Sequence, residues 1–447
     1  MENNLPQGWV WFDMLDVINY EGGSQPPKKV FTYEPKKGYI RLVQIRDYGD
    51  KPFPTYVPDS TKLKKAEKND LLIARYGGSS ANDSLGRICS GIEGAYNVAL
   101  AKVIFPKQFL NTSFVRYLLS GPWFKERLNS LSRSCQTGFN REDLQKLYFP
   151  LPPLEEQHRI VEKLDAVMQK VESNKQRIDK IPKLLKRFRQ SVLAAAVSGR
   201  LTEEWRIKQG ILVDWEFKSA EETCQLITKG TTPINNGLTA NGEIPYLKVY
   251  NIVEQIVDFN YKPQFVSREI HTNFLKRSRV YPGDVLMNIV GPPLGKVAIV
   301  PNYYEEWNIN QAIAFFRAKE MILPKFIYII LCEGSPIIEI EKEYRGTAGQ
   351  SNISLEQCRN FSFPVPEIKE QKEIVRRVEQ LFDFADKLED RYSKAKAMLD
   401  KLPQSILAKA FRGELVSQDS NDEPASVLLE QIKGEKLKAT KNIRKKK

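Results

Sequence analysis

The sequence predicts an α+β fold made of two tandem copies of one module, each a β-rich mixed domain followed by a long helix. Three observations support this. A 53-residue segment occurs twice at a constant spacing, each copy has a heptad rhythm of apolar residues, and strand-like landmarks recur before each copy. The module is therefore the unit to analyse.

The composition is that of an ordinary globular protein. A chain of 447 residues, 41% hydrophobic and 28% charged, is too long for one core and predicts two to four domains. The beginning of the chain has no secretory pattern, and the longest apolar run, near residues 326–332, is far below the roughly 20 residues of a membrane span. The five cysteines are scattered without a CxxC pair, which indicates a reducing, cytoplasmic setting with no membrane partner.

The net charge of +13 is unevenly distributed. Residues 433–447 hold eight Lys or Arg and one Glu, and therefore supply +7 of it. A basic end of this kind is typical of a solvated tail, so we expect residues 417–447 to be a disordered basic tail. The charge alone does not establish a polyanionic partner.

The repeat joins residues 149–201 to residues 363–415 at an offset of 214 without a gap, with seventeen identical positions. The matches concentrate at both ends, for example Glu156 and Gln157 with Glu370 and Gln371. Gly199 and Gly413 match where a helix C-cap would fall.

Each repeat alternates apolar steps of four and three, which predicts a coiled-coil seam. The simplest pairing is of the two helices with each other, antiparallel and within the chain, with a pseudo-two-fold axis relating the copies. The seam residues are Ile160, Leu164, Val167, Val171, Asn174, Ile178, Ile181, Leu185, Phe188 and Val192 in the first helix, and Ile374, Val378, Leu381, Ala385, Leu388, Tyr392, Ala395, Leu399, Leu402 and Ile406 in the second.

Two prolines fall inside these rhythms at positions that do not correspond, Pro182 and Pro403. Each removes a backbone hydrogen bond, so each should kink its helix or start a second helix in the same direction. Asn174 at a seam position either fixes the register or marks a poorly packed point.

These features divide the chain into residues 1–148, 149–205, 206–362, 363–416 and the tail. The first and third segments are diverged domains with matching landmarks: strands at residues 38–45 and 242–249, and again at 70–74 and 284–288. A late helix is opened by Asn111 in the first copy and by Pro324 in the second.

Basic and amide side chains stand at matched strand ends in both domains. Arg and Lys can pair with guanine edges in the major groove, and Asn and Gln with adenine edges. Polar surface loops are common, so any single residue here could equally be solvated. The candidates are Gln44, Arg46, Arg75, Tyr76 and Arg87 in the first domain, and Lys248, Tyr250, Asn251, Lys276, Arg277 and Lys296 in the second.

No pattern in the sequence indicates catalysis. The two histidines, His158 and His271, have no partners in a motif, and residues 291–297 (GPPLGKV) lack the spacing and hydroxyl residue of a phosphate loop. We find no cofactor fingerprint or nucleophile elbow. The sequence therefore predicts no catalytic, cofactor-binding or metal-binding residues.

The segment PLPPLEEQHRIVEKLD, followed by LLKRFRQSVLAAAVSGRLT, resembles the central conserved region of type I restriction–modification specificity subunits. PVPEIKEQKEIVRRVEQL, followed by LPQSILAKAFRGEL, resembles their distal conserved region. The resemblance covers about residues 1–416 and extends to positions such as Glu156, Gln157, Gly199, Glu370 and Gly413. It does not extend to base-contacting residues, because recognition domains differ between family members.

This resemblance implies a recognition subunit whose two target-recognition domains each read half of a bipartite, asymmetric DNA site. It implies that the conserved helices act as a spacer and dock two methyltransferase subunits, which restriction–translocase subunits then join. S-adenosylmethionine, ATP and Mg²⁺ are expected on those partners and not on this chain. The alternative from the sequence is a coiled-coil scaffold that binds proteins and not DNA.

Overall fold

The computed structural model describes residues 5–49, 51–76, 85–131, 138–211, 214–233, 237–343 and 352–445. The chain forms two compact units, and the first takes segments from both ends of the sequence. Unit 1 contains Met1–Ile178 and Lys394–Lys447, and unit 2 contains Asp179–Ser393. In the part described, no helix is both long and apolar enough to cross a membrane.

Unit 1 begins with the first β-rich domain and continues into the first repeat helix. Its elements are β1 (Val10–Asp13), α1 (Met14–Val17), β2 (Asn19–Gly22), β3 (Tyr39–Val43), β4 (Tyr56–Pro58), β5 (Lys65–Ala66), β6 (Leu72–Ala74), β7 (Ile88–Cys89), β8 (Gly94–Tyr96), β9 (Leu100–Ile104), α2 (Thr112–Ser120), α3 (Pro122–Leu131), α4 (Arg141–Gln145), β10 (Tyr148–Leu151) and α5 (Leu154–Ile178).

Unit 2 starts at the helix that follows and contains the second domain. Its elements are α6 (Ile181–Val197), α7 (Glu203–Gln209), β11 (Glu216–Ser219), α8 (Ala220–Thr223), β12 (Cys224–Lys229), β13 (Ile244–Leu247), β14 (Ile252–Val253), β15 (Ile256–Val257), β16 (Phe265–Val266), α9 (Arg268–Thr272), β17 (Arg279–Val280), β18 (Val285–Asn288), β19 (Val297–Ile299), β20 (Trp307–Ile309), β21 (Ile313–Ala318), α10 (Pro324–Glu333), α11 (Ser335–Glu343), α12 (Leu355–Arg359) and β22 (Ser362–Val365).

Two further helices complete the chain. The second repeat helix, α13 (Ile368–Ala410), contributes its first part to unit 2 and its last part to unit 1. The C-terminal helix, α14 (Ala425–Lys445), belongs to unit 1.

The two domains have the same sheet topology. The strand order β2-β9-β6-β7 in the first corresponds to β12-β21-β18-β19 in the second, and β4-β3-β8-β5 corresponds to β16-β13-β20-β17. In each second sheet one pair is parallel, β3 with β8 and β13 with β20. The predicted α+β class and the matched strand landmarks are confirmed.

The tail prediction is wrong, because α14 packs on the first domain. Ala425, Leu428 and Ile432 are buried in the core that also contains Phe12 and Phe149. This spacing places the three apolar side chains on one helix face. The many basic residues of this segment pointed to a disordered tail, although its apolar spacing is that of an amphipathic helix.

The repeat helices pair antiparallel within each unit, as the sequence predicts. In unit 1, Lys175 forms an ion pair with Asp400 at 3.4 Å, and Arg159, earlier on the first helix, contacts the later residue Asp422. In unit 2, Arg189 Nη2 is 2.9 Å from Glu389 Oε2, and Leu201, further along, accepts a hydrogen bond from the earlier residue Arg377. In both units the partner's number falls as the residue number rises.

Most seam residues are buried or half-buried within their own unit. Side chains such as Trp9 and Tyr117 add a third layer over the buried part in unit 1. The seam assignment is wrong at Asn174 and Ala395, which are exposed, and at Leu402, which is 40% exposed. Fully buried are Ile160, Leu164, Val171, Leu185, Val192, Ile374, Val378, Ala385 and Ile406, and half-buried are Val167, Ile178, Ile181, Phe188, Leu381, Leu388, Tyr392 and Leu399.

The two prolines differ in effect. α5 ends at Ile178, and Pro182 lies in the first turn of α6, where its missing N–H costs no hydrogen bond. A new helix therefore begins there, which is one of the two predicted outcomes. α13 runs through Pro403 without a break, so no second helix starts at that position.

The helix caps follow the sequence prediction. Gly199 and Gly413 have left-handed φ angles of 76° and 74°, a region that glycine enters without steric cost. The Asn111 side chain accepts hydrogen bonds from the backbone N–H groups of Ser113 and Phe114 at the start of α2.

A buried glutamate in each repeat holds its domain to the helices. Glu156 accepts from Trp9 Nε1 at 2.8 Å and from Gln418 Nε2 at 3.1 Å. Burial is the main cause that raises the pKa of Glu156. Within unit 2, Glu370 accepts from Trp215 Nε1 at 3.0 Å, and also from Thr202 Oγ1 at 2.6 Å and Arg206 Nη1 at 2.8 Å.

The adjacent glutamines repeat a second contact. Gln157 donates to Pro152 O, and Gln371 donates to Pro366 O. The matched Glu–Gln pair is therefore a structural device that fixes how each helix leaves its domain.

Candidate nucleic-acid interface

In unit 1, strands of both sheets end at one common edge. Asn97 N, just after β8, donates to Val43 O at the end of β3, at 3.1 Å. Ser24 N, just after β2, donates to Tyr96 O at 2.9 Å. These contacts bring the loops after β2, β3 and β8 together.

Unit 2 builds the same edge from the corresponding strands. Asn310 N donates to Leu247 O at 2.9 Å, and Thr231 N donates to Ile309 O at 3.2 Å. We call this surface the strand-end edge of each unit. It comprises residues 22–24, 44–48, 62–65, 74–76, 87 and 97–99 in unit 1, and residues 229–232, 248–250, 276–279, 288–290, 296 and 310–312 in unit 2.

The edge of unit 1 gathers all five sequence candidates of the first domain. Gln44 Nε2 and Arg46 Nη2 both donate to Thr55 Oγ1, at 3.0 and 2.6 Å. The guanidinium of Arg46 also lies 5.1 Å from the centre of the Phe53 ring. This cluster is a pre-ordered polar surface with one exposed cation.

Arg75 and its neighbours form the second part of that edge. Its guanidinium lies 5.8 Å from the Tyr20 ring and 5.4 Å from the Tyr76 ring, and its buried Nε has no hydrogen-bond partner among the described residues. Arg87 Nη2 donates to Tyr48 O at 2.6 Å. The loop after Tyr76 lies outside the described residues.

The edge of unit 2 gathers five of its six candidates. Lys248 and Tyr250 follow β13, Lys276 and Arg277 precede β17, and Lys296 precedes β19. The Tyr250 hydroxyl donates to Lys262 O at 3.2 Å. Lys276 and Arg277 are exposed.

Asn251 does not face this surface. It is fully buried, and its side-chain amide donates to the carbonyls of Asp258 and Tyr261 at 3.0 and 2.9 Å. Its Oδ1 accepts from Lys248 N at 3.0 Å. Because both ends of the amide are used, Asn251 holds the turn and is not placed to contact a base.

Asp47 in unit 1 shows why Asn251 was wrongly predicted to contact a base. Asp47 stands at the equivalent position of unit 1 and accepts in the same way from Gln44 N at 2.8 Å. An internal turn of this kind and a base contact call for the same residue type.

The edges are electropositive. Among the described residues, Arg46, Arg75 and Arg87 in unit 1 form no ion pair with a carboxylate, and neither do the four cations of unit 2: Lys248, Lys276, Arg277 and Lys296. Cations without a carboxylate partner attract a polyanionic ligand. No metal site is found, because no three potential ligands converge in the part of the chain that is described.

Lys62, an exposed residue of the unit 1 edge, is not among the candidates predicted from the sequence. Its main chain lies against Ser24, since Ser24 Oγ donates to Lys62 O at 3.4 Å. A signal was present: Lys62 lies 214 residues before Lys276, the same spacing as that of the repeat helices. A basic run such as residues 62–68 is by itself typical of a solvated loop.

The buried thiols are not part of this surface. Burial raises the pKa of Cys89 and of Cys224 to about 11, and that of Cys332 and of Cys358 to about 12. They stay protonated near neutral pH and act as small core residues, as expected from the sequence. Cys135 lies outside the described residues.

Comparison with known proteins agrees with these features. The family model of the type I restriction modification DNA specificity domain matches residues 6–183 and 212–396. The specificity subunit of the type I restriction enzyme EcoBI from Escherichia coli is 33% identical, over 97% of this chain and 93% of that protein. The EcoKI specificity subunit of Escherichia coli K12 is 31% identical, over 97% and 96%.

Solved structures share the fold. A chain from a structure of type I restriction–modification complex assembly aligns with a TM-score of 0.68 at 20% identity, covering 92% of this chain and 100% of that one. The HsdS subunit from Thermoanaerobacter tengcongensis aligns with a TM-score of 0.61 at 21% identity, covering 92% and 99%. The chain belongs to the family of type I restriction–modification DNA specificity subunits.

Proposed function

We propose that this chain is the DNA-recognition subunit of a type I restriction–modification complex and reads a bipartite, asymmetric site. One observation carries the proposal: two domains of the same topology each present a strand-end edge with unpaired cations. The edges differ in the residues at matched positions, for example Arg46 and Tyr250. Two different readers in one chain fit two different half-sites.

The chain itself does no chemistry in this proposal. It docks two methyltransferase subunits and, through them, restriction–translocase subunits, in the cytoplasm. S-adenosylmethionine, ATP and Mg²⁺ bind to those partner subunits. The docking surface is the repeat helices, where Leu184 and Met398, at the 214-residue spacing, are 58% and 73% exposed.

The test combines this chain with a methyltransferase subunit of a type I system. Methylation mapped across a host genome should reveal a two-part motif with an unread gap, and gel shifts should be selective for that motif and sensitive to salt. The chain alone should not methylate DNA. Absence of DNA binding would favour the protein-scaffold alternative, and methyl transfer by the isolated chain would overturn the non-catalytic role.

A further inference from the structure

We propose that Lys62 in unit 1 and Lys276 in unit 2 each anchor a phosphate of the DNA backbone and do not read bases. This rests on the proposed DNA-reading function. It adds a division of labour within each strand-end edge, with a backbone anchor shared by both domains and reading residues that differ between them.

The two lysines occupy equivalent places in the fold. Lys65 pairs with Ala95 of β8, and Arg279 pairs with Asn308 of β20, so these residues share one register. Lys62 and Lys276 each come three residues earlier, Lys62 in the turn and Lys276 in the single 3-10 helical turn that enters the strand. Both turns lie at the edge where the candidate reading residues stand.

The neighbouring lysines Lys64 and Lys65 form ion pairs, but Lys62 forms none with a described residue. Lys64 Nζ pairs with Glu21 at 2.6 Å, a hydrogen bond that is the main cause lowering the pKa of Glu21, and Lys65 Nζ pairs with Asp59 at 2.7 Å. Lys62 is exposed, and in the described part of the chain its ammonium contacts no carboxylate and no hydrogen-bond acceptor.

Around Lys276 the contrast holds for Arg279 and Arg317. It does not hold for Arg277, which is exposed and forms no ion pair in the described part of the chain. Arg279 donates from Nε to His271 O at 3.2 Å and from Nη2 to Thr272 O at 3.0 Å. Arg317 binds Asp284 with two hydrogen bonds, at 2.9 and 2.6 Å. Lys276 is exposed, with no such partner among the described residues.

A cavity beside Lys276 has room for a phosphate. Its volume is about 330 Å³, roughly ten times the share of one water molecule in the liquid. Four cations line it, and the carboxylate of Asp284 neutralises one of them, Arg317. The lining residues are Leu226, Thr228, Lys276, Arg277, Arg279, Tyr281 and Arg317.

The equivalent positions of the two lysines indicate that they contact the DNA backbone and not the bases. The bases of two half-sites differ, so residues that read them should differ, as Gln44 and Lys248 do at matched positions. Phosphates are the same in every sequence and are what basic side chains contact to set register. A lysine kept at one position in two diverged domains therefore fits the constant part of the ligand.

The close glycine contacts near the two lysines are also the same in both domains. Gly23 and Gly230 lie so close to the strand ends that an added Cβ would be 2.1 Å from Asn97 O and 2.1 Å from Ile309 O. These close approaches hold the loops after β2 and β12 against the ends of β8 and β20 in both domains.

The experiment compares wild type with Lys62→Ala, Lys276→Ala and the double variant, each assembled with the methyltransferase subunits. Binding to cognate and non-cognate duplexes is measured by fluorescence anisotropy from 50 to 200 mM salt. Losing two phosphate contacts should make the slope of log K against log salt about 1.8 less negative. The affinity ratio between those salt concentrations should then shrink roughly tenfold. The methylated motif should not change.

Two controls sharpen the result. Lys37→Ala removes an exposed lysine before β3, at the opposite end of the same sheet, and should leave the slope unchanged. The Lys62→Arg and Lys276→Arg double variant should keep it as well. An unchanged slope in the Ala double variant, or a changed motif, would overturn the anchor role. Wild type without sequence-selective binding would instead refute the proposed function.

Discussion

The two recognition domains share strand order, sheet register and glycine frame but not the chemistry of their edges. The first edge clusters Gln44 and Arg46 on one hydroxyl, that of Thr55. The second places Lys248 and Tyr250 at the matching positions, without such a cluster. Topology is thus the constant part of the module, and the strand-end side chains are the variable part.

The second domain also has a hairpin, β14–β15, that has no counterpart among the described strands of the first. Its turn residues Glu254 and Gln255 have φ angles of 49° and 65°, typical of a tight two-residue hairpin. Gln255 then accepts from Val297 N and donates to Gly295 O, on both sides of Lys296. The hairpin lies beside the edge, while the two four-stranded sheets have the same strand order in both domains.

The largest expected effect concerns the matched glutamates. Glu370→Ala should lower the free energy of unfolding by about 3–5 kcal/mol, because it leaves the partly buried guanidinium of Arg206 without its carboxylate partner. Glu156→Ala should cost less, about 1–3 kcal/mol, since its two donors, Trp9 and Gln418, are neutral. Urea denaturation measures both.

The exposed neighbour Glu155 provides the control for these glutamates. Glu155→Ala should change stability by less than about 0.5 kcal/mol. Equal losses for Glu156→Ala and Glu370→Ala would show that the Arg206 contact adds nothing and that the two joints are equivalent.

The next effect tests whether the repeat helices present the same surface twice. Leu184→Glu and Met398→Glu should each weaken docking of one methyltransferase subunit by about 1.5–3 kcal/mol, the value of one buried apolar side chain. Sedimentation of the reconstituted complex should show one subunit lost in each single variant and two in the double variant.

Phe384 serves as the control for docking. It is 55% exposed on α13, but the matched position in the first repeat is Lys170. A surface used twice should not depend on it, so Phe384→Glu should keep both subunits. Loss of a subunit in this variant alone would place docking elsewhere on the helix.

A third test separates the two edges. Arg46→Ala should relax recognition in one half of the motif, and Lys248→Ala in the other, each by about 1–3 kcal/mol per base contact. Methylation mapping reads out both halves at once. A variant that degrades both halves equally would mean that its side chain contributes to general binding and not to reading.

Much of this could be predicted from sequence because the relevant signals are local. Heptads, caps and strand landmarks gave the module and the antiparallel pairing, and basic residues at strand ends gave most of the edge. Local patterns could not supply the parallel pairing of β3 with β8, which joins residues about 50 apart, or the burial of Asn251. α14 was missed because its apolar positions lie within a basic segment.

The smallest effect concerns pH and sharpens the difference between the two glutamate joints. Burial raises the pKa of Glu156, and no cation contacts it among the described residues. The folded state then holds a proton more tightly than the unfolded chain, so this group's contribution to stability is full below the ordinary pKa of 4.5 and declines as pH rises through the raised value.

Glu156→Gln removes this titrating group and its contribution to the pH dependence of unfolding. The urea midpoint of Glu156→Gln relative to that of wild type should therefore be higher at pH 8 than at pH 5. Glu155→Gln controls for loss of one negative charge from the same helical turn. If wild type and Glu156→Gln respond identically to pH, then the hydrogen bonds from Trp9 and Gln418 already offset the burial of the carboxylate, and the two joints differ only in their partners.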